Sequence, residues 1–526
     1  VSGKLFYGDN LDVLRSNKIP AESVDLCYID PPFNSKRNYN QIYNNVGGED
    51  RAQARAFIDT WTWNDQARDG YAEILANEQG RFQPQTVALL RGLHTVLGKG
   101  SLLAYLVSMT LRITEIRRVL KPHGSFYLHC DPTASHYLKL VLDGIFCSQG
   151  GDFLNEIIWC YSIGGKSKNA FGRKHDVLLV YTKSSDGSHT FNEEGARIPR
   201  KPDSHMKVGL SPDGREFQEK TDRKSGKVYR YYLDEGKIAE DYWTDIETLN
   251  RDDAERLGYP TQKPSPLLTR IVNTSSNPGD VVLDAYCGCG TTIAVAERLN
   301  RRWVGIDITF QSISLVLKRL EDTFGEAVTR AMILDGVPSD MDSATALAHK
   351  KDDRVRKEFE KWAVLTYTRN RGVINEKKGA DAGIDGTVYF LKSPEENGTM
   401  VFQVKSGGVS RGDIAKLRGD MQRAGAEMAT LITLEEPTAP MKAEAKQAGT
   451  YLHALMGRTY DKIQIVTVRQ IIEEHRCLDL PLGKDVLKAA EPQEDAETLA
   501  LPFAPPAVKK AKSTPPEKRA KKTGGA

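Results

Sequence analysis

Residues 281–309, VVLDAYCGCGTTIAVAERLNRRWVGIDIT, constrain this chain more than any other stretch. An apolar run from Val281 to Leu283 closes on Asp284, a glycine-rich turn follows, then a segment of helical period, then a second apolar run closing on Asp307. That order predicts a strand, a tight loop, a helix and a strand. Gly288 and Gly290 let the backbone turn sharply and approach a ligand closely. The helix start offers free N–H groups, and an acid ending the next strand can accept hydrogen bonds from ribose hydroxyls. A nucleoside cofactor fits such a unit; so does an ordinary tight turn in an α/β domain. GxxxxGK(S/T) is absent, which argues against a triphosphate loop, and Ile293 stands where the dinucleotide pattern GxGxxG needs its third glycine.

At 526 residues the chain is long enough for about three domains, each burying its own core. Its start, VSGKLFYGDN, has no apolar signal region, and its most apolar stretch, Ser101 to Met109, is too short to span a bilayer. A cytoplasmic protein without membrane contact is expected. Seven cysteines, an odd number spread over the chain, argue for reduced thiols. Cys287 and Cys289 form a CxC with no second pair at metal spacing, so small residues in a tight loop explain them better than zinc. The net charge of +3 divides unevenly: residues 509–522, KKAKSTPPEKRAKK, carry +6, which leaves −3 on the rest. Such a tail reads as disordered, either a weak nucleic-acid arm or a solubilising end.

A second motif lies far upstream. Val24 to Ile29 (VDLCYI) is a run of buried-strand type that ends in Asp30, Pro31, Pro32 and Phe33. Two prolines after a strand leave the sheet in a stiff, extended exit, because neither can donate to a ladder. Asp30 offers a carboxylate, Pro31 a carbonyl and Phe33 a flat face. Methyl transfer to an exocyclic amino group needs that set. The amino lone pair is delocalised into the base ring until acceptors draw on both N–H bonds, and a duplex base must be flipped out and stacked to be reached.

DPPF together with LDAYCGCGTT makes residues 4 to about 335 resemble the DNA amino-methyltransferases. DPPF precedes the cofactor loop by about 250 residues, which resembles the permuted beta class: catalytic half first, target-recognition region between, cofactor half last. The resemblance implies a Rossmann-like α/β fold, S-adenosylmethionine as cofactor and double-stranded DNA as partner. It puts Asp30, Pro31, Pro32 and Phe33 at the catalytic site and Asp9 and Asn10 near the cofactor's adenine. Gln262 and Lys263, in a TQKP segment, and Asp284, Ala285, Tyr286, Gly288, Gly290, Thr291 and Thr292 fall at its methionine end, with Asp307 on the ribose. DPPF accompanies adenine N6 more often than cytosine N4 methylation in that family, so adenine is favoured. The oligomeric state stays open, a dimer included.

Between the motifs, residues 34–100 read as a mobile loop with Trp61 and Trp63, then helices. Leu102 to Leu120 has helical period, and Ser125 to Asp131 reads as a strand whose His129 and Asp131 either line the target pocket or cap the strand. Two strands, Glu156 to Tyr161 and Val177 to Tyr181, flank a glycine-rich basic loop. Residues 185–240 alternate charge signs with little apolar period. There Arg197, Arg200, Lys201, Arg223, Lys224 and Arg230 are candidate contacts with phosphates or base edges.

After Asp335 a linker leads to a charged helix with Phe359 and Trp362. GADAGIDGTVYF and MVFQVKSG follow as two neighbouring strands. Gln403 and Lys405 share one strand face by alternation, and Asp385 on the adjacent strand can meet them around a divalent metal. Roughly residues 355–475 resemble the Mrr-like branch of the PD-(D/E)xK nucleases, which implies Mg²⁺ at Asp385. Gln403 departs from the usual acid there, and Glu358 or Glu360 is a candidate replacement. The expected division is 1–184 (catalytic half), 185–240 (target recognition), 241–335 (cofactor half), 336–357 (linker), 358–480 (smaller α/β restriction-endonuclease-like domain) and 481–526 (basic tail). The leading expectation is a DNA amino-methyltransferase of a restriction-modification type with a nuclease domain. The alternative is a solitary methyltransferase whose last domain only binds DNA.

Overall fold

The computed structural model describes residues 3–480 apart from 33–36, 43–52, 60, 163–168, 170, 202–204, 251, 252, 254, 258, 260, 350–352, 370, 376–382, 393–396 and 455. Phe33 and the tail therefore lie outside the described residues, which all fall in one compact unit.

A nine-stranded sheet forms the frame. In spatial order its strands are Tyr242–Trp243, Asp152–Cys160, His175–Thr182, Leu120–Cys130, Val24–Ile29, Val281–Asp284, Arg302–Asp307, Gly3–Tyr7 and Ile333–Asp335. His175–Thr182 runs antiparallel to both neighbours, and every other pairing in this sheet is parallel. Val24–Ile29 is buried along its whole length, as a central parallel strand covered on both faces must be. The 19-residue helix Ser101–Val119 packs on one face with Leu103, Leu106, Ile113 and Ile116 buried. Helices Ser265–Ser275, Thr291–Arg298 and Phe310–Phe324 cover the other through Leu267, Ile271, Ile293, Ile313 and Leu320. The architecture is Rossmann-like α/β.

Three stretches depart from the sequence reading. Residues 37–59, expected as loop, include an antiparallel hairpin of Arg37–Ile42 with Gln53–Asp59. The helix expected over Leu102 to Leu120 is present as Ser101–Val119, but the strand expected from Ser125 begins already at Leu120, because Leu120 pairs with Val24. The charge-alternating region holds an antiparallel meander of Lys207–Leu210, Glu216–Thr221 and Val228–Tyr232. Its rings are covered by cations rather than by a core: Arg230 lies 4.0 Å over Phe217 and Arg215 4.0 Å over Tyr232.

A second sheet follows in the order Val373–Ile374, Gly386–Leu391, Asn397–Lys405, Met428–Thr433 and Ile463–Thr467, antiparallel over its first two pairings and parallel over the rest. Helix Asp353–Tyr367 joins it to the main sheet. Phe359 and Trp362 of that helix share one apolar cluster with Phe310 and Ile313 on one side and with Phe402 and Val466 on the other. Among the described residues no helix is long and apolar enough to cross a membrane.

Candidate functional site

Four acids gather at one edge of the main sheet. Asp30 follows strand Val24–Ile29, Asp284 ends the adjacent strand, Asp307 ends the next, and Asp9 follows Gly3–Tyr7, whose Tyr7 pairs with Asp307. These strands are parallel, so their carboxyl ends share an edge, where open α/β sheets bind ligands.

The glycine loop has left-handed backbone at Gly288 (φ +49°) and Gly290 (φ +76°), and a Cβ on Gly290 would come within 2.8 Å of Val316 Cγ2. Neither position accommodates a larger residue without strain. The loop is tied to the next strand by Asp307, which accepts from Gly288 N at 3.0 Å and from Thr309 N at 2.9 Å. Asp284 accepts from Tyr286 N at 3.0 Å. Burial pushes the Asp284 carboxyl up to about 7, with the Asp30 and Asp307 charges adding to it, and burial pushes Asp307 up to about 6. Next to Asp307 the Ile308 side chain is 58% exposed, an apolar surface beside a hydrogen-bonding acid. A donor set of crowded, desolvated carboxylates beside an apolar face fits a ligand that carries hydroxyls, a flat ring and positive charge. S-adenosylmethionine is such a ligand.

The upstream turn is bound directly to this loop. Asn10 donates to the Ala285 carbonyl at 2.8 Å, while Arg112 donates to Asn10 at 2.6 Å and pairs with Asp9 at 2.8 Å. Arg112 escaped the sequence reading; its one signal was that it is the first charged residue of a helix that is uncharged from Ser101 to Leu111. Thr291 and Thr292, also expected at the cofactor, are buried in the first turn of their helix. Arg319 donates to the Thr291 hydroxyl at 2.8 Å.

At Asp30 the partner is Lys263, with Nζ 2.5 Å from Oδ2. Lys263, expected at the cofactor's methionine end, thus engages the DPP acid. Its neighbour Gln262 uses both ends of its amide within its own loop, donating to the Glu255 carbonyl at 2.6 Å and accepting from Leu257 N at 2.8 Å. Behind Asp30 lies a buried polar chain. His129 Nε2 meets Asp176 at 3.0 Å, the Tyr28 hydroxyl lies 2.9 Å from His129 Nδ1, and Tyr161 donates to Asp176 at 3.2 Å. Burial works to raise the Asp176 carboxyl, but the His129 hydrogen bond and the charges of His129 and Lys263 hold it below the usual range. His129 is fully buried, and Asp131 instead caps a turn by accepting from Thr133 N at 3.1 Å and Ala134 N at 3.2 Å. Asp176 carried no sequence signal beyond its place at a strand start.

Of the candidate DNA contacts, Arg197 pairs with Glu194 at 3.0 Å and Arg230 with Glu219 at 2.6 Å, while Arg200 stacks 4.7 Å over Tyr231. Asp385, Gln403 and Lys405 do come together in the second sheet. Asp385 accepts from Val404 N at 2.7 Å, and Gln403 donates to the Gly383 carbonyl at 2.8 Å. Burial, then the Glu360 charge, pushes Asp385 up to about 7, while the charge of Lys405 works the other way. The expected Mg²⁺ site gains no support: among the described residues no three His, Cys, Asp or Glu side chains cluster to hold a metal. Gln403 is turned to the backbone, and Glu358 is engaged elsewhere, accepting from Phe310 N at 3.0 Å.

Sequence comparison identifies the family. The model of the DNA methylase family (N6_N4_Mtase) matches residues 24–318, and the chain belongs to that family. A second model, NACHT-associated inactive restriction endonuclease 1, matches residues 356–473. The DNA adenine methyltransferase YhdJ of Escherichia coli (strain K12) is 27% identical over 318 residues, covering 60% of this chain and 82% of YhdJ. The type II methyltransferase M.EcaI of Enterobacter cloacae is 29% identical over 307 residues, 49% of this chain and 65% of its own length. Among solved structures, the PvuII DNA methyltransferase (cytosine-N4-specific) aligns at 14% identity and TM-score 0.35 over 64% of this chain and 95% of that one.

Proposed function

We propose that this protein transfers the methyl group of S-adenosylmethionine to an exocyclic amino group of a base flipped out of double-stranded DNA, adenine N6 before cytosine N4. The observation that carries this reading is the row of Asp9, Asp30, Asp284 and Asp307 along one sheet edge. When bound, S-adenosylmethionine supplies an electrophilic methyl group on a sulfonium. Asp284, Asp307, Asp9 and Asn10 hold that cofactor, and Asp30 faces the base. The Asp30 carboxylate and the Pro31 carbonyl accept hydrogen bonds from the two amino N–H groups, which leaves the nitrogen lone pair available; the N–CH3 bond would form as the S–CH3 bond breaks, leaving the sulfonium as a neutral thioether, and the amino proton would pass to water. Phe33 stacks on the flipped base and offsets part of the unstacking cost. The adenine preference is supported by similarity to YhdJ, a DNA adenine methyltransferase, and a restriction-modification setting by similarity to M.EcaI, a type II methyltransferase. The last domain, with an amide at Gln403, is read as non-cleaving, in keeping with the inactive family it matches.

The test is transfer of labelled methyl groups to DNA followed by nucleoside analysis. N6-methyladenine is expected with wild type and none with Asp30→Ala. Label that persists in the variant removes Asp30 from the chemistry, and N4-methylcytosine in place of N6-methyladenine overturns the base preference.

A further inference from the structure

The last domain touches the segments on either side of Asp307. Glu358, on helix Asp353–Tyr367, accepts from the backbone N of Phe310 at 3.0 Å and from the Tyr7 hydroxyl at 3.3 Å. Lys361, one turn on, holds the same carboxylate at 2.8 Å. Phe310 is the first residue of helix Phe310–Phe324, directly after the Asp307–Thr309 turn. Tyr7 ends the first strand, directly before Gly8 and Asp9. The two rings meet edge to face at 5.9 Å, and Gly8 N donates to the Asp307 carbonyl at 2.9 Å. One carboxylate from residue 358 thus clasps both segments that flank Asp307.

The first N–H groups of a helix have no partner inside it, and a negative charge there is favoured by the helix dipole. Thr309 caps Ser312 N of this helix at 3.2 Å, and Glu358 supplies the acceptor for Phe310 N from outside the methyltransferase segment. Burial, then the Glu358 charge, raises the Tyr7 phenol well above its ordinary range, so its hydroxyl stays a donor. The helix bearing Glu358 is itself fixed by Phe359 and Trp362, which share one apolar cluster with Phe310 and Ile313. The carboxylate is therefore presented by a rigid element.

We infer that Glu358 is a positioning residue for the cofactor: the restriction-endonuclease-like domain holds the Tyr7–Asp9 and Asp307–Phe310 segments in the conformation that receives S-adenosylmethionine. The inference rests on the cofactor reading above. In that reading the last domain serves methyl transfer without cutting DNA.

Calorimetric titration of S-adenosylmethionine into the full chain, with steady-state methylation kinetics, tests it. Glu358→Ala loses a charge-assisted hydrogen bond at a helix start, so the cofactor Kd and KM rise about tenfold. The loss falls on the cofactor KM and not on kcat. Glu358→Gln keeps the acceptor and recovers most of the affinity, which a loss of folding would not allow. A Kd in Glu358→Ala within about twofold of wild type overturns the inference, as does a parallel fall in kcat and melting temperature that Glu358→Gln shares. Wild type that fails to bind S-adenosylmethionine overturns the cofactor reading itself, a separate outcome.

Discussion

Replacing Asp284 by Asn separates stability from function in a way the structure quantifies. Asp284 is 3% exposed, and its carboxyl stands near 7 against an ordinary 3.8. Between those values the folded chain keeps a proton that the unfolded chain has released, so stability falls as pH rises through that window and is level above it. A change of that size corresponds to about 4 kcal/mol against the ionised, folded form. About 3 kcal/mol of this accrues between about pH 5 and about pH 8. Asn has the same shape, can still accept from Tyr286 N, and carries no charge to desolvate. The apo variant should therefore gain on wild type by about 3 kcal/mol more at about pH 8 than at about pH 5 in urea unfolding followed by tryptophan fluorescence. Its affinity for S-adenosylmethionine should fall at the same time, because the cationic ligand loses a buried counter-charge. A stability difference that stays flat or shrinks with rising pH would refute the argument that burial of this charge sets the site's cost.

Two further outcomes follow from other contacts. Lys263→Met strands the Asp30 carboxylate in a pocket where the two side chains are only 12% and 16% exposed, so stability should drop by about 3 kcal/mol and methyl transfer should fall sharply. Lys263→Arg should retain more of both, and equal losses in the two variants would show that charge at Asp30 is irrelevant. In the last domain, supercoiled plasmid with Mg²⁺ should stay uncut by wild type and by Asp385→Asn alike, while Asp385→Asn gains stability at about pH 8 because its carboxyl stands near 7; nicking by wild type that the variant loses would restore a nuclease.

The strand–loop–helix–strand unit of residues 281–307 was legible because each of its parts is local. An apolar run must be a strand, Gly288 and Gly290 must turn, and the expected order reappears as Val281–Asp284, Thr291–Arg298 and Arg302–Asp307. The hairpin of residues 37–59 was not legible, since NSKRNYN has no apolar alternation from which a strand face can be read. The meander of residues 207–232 hid for a related reason: its rings are covered by arginines, so its pattern is one of charges. Side chains whose roles come from tertiary contact were beyond any local reading. Arg112, Asp176 and Glu358 act on partners far away in sequence, at Asp9, His129 and Phe310. Lys263 was singled out from its TQKP segment, but its ion pair with Asp30, 233 residues away, could not be read from it.

The strand order explains why motifs nearly 300 residues apart form one site. Gly3–Tyr7 lies between Arg302–Asp307 and Ile333–Asp335, so the first strand of the chain is inserted among the last of the methyltransferase segment. Val24–Ile29 in turn bridges Leu120–Cys130 and Val281–Asp284. No single cut between residues 184 and 241 of the chain leaves this sheet's pairings intact, because Gly3–Tyr7 pairs only with Arg302–Asp307 and Ile333–Asp335. Asp9 reaches Asp307, and Asp30 reaches Asp284, only through these distant parallel registers, which are costly in chain entropy and slow to form. The four acids thus come together only when the chain has closed as far as Arg302–Asp307, and Ile333–Asp335 then covers the outer side of Gly3–Tyr7. Glu358, beyond that edge strand in the sequence, ties the end of the first strand to the start of the helix after Asp307 through Tyr7 and Phe310 N, and so braces the longest-range of these closures.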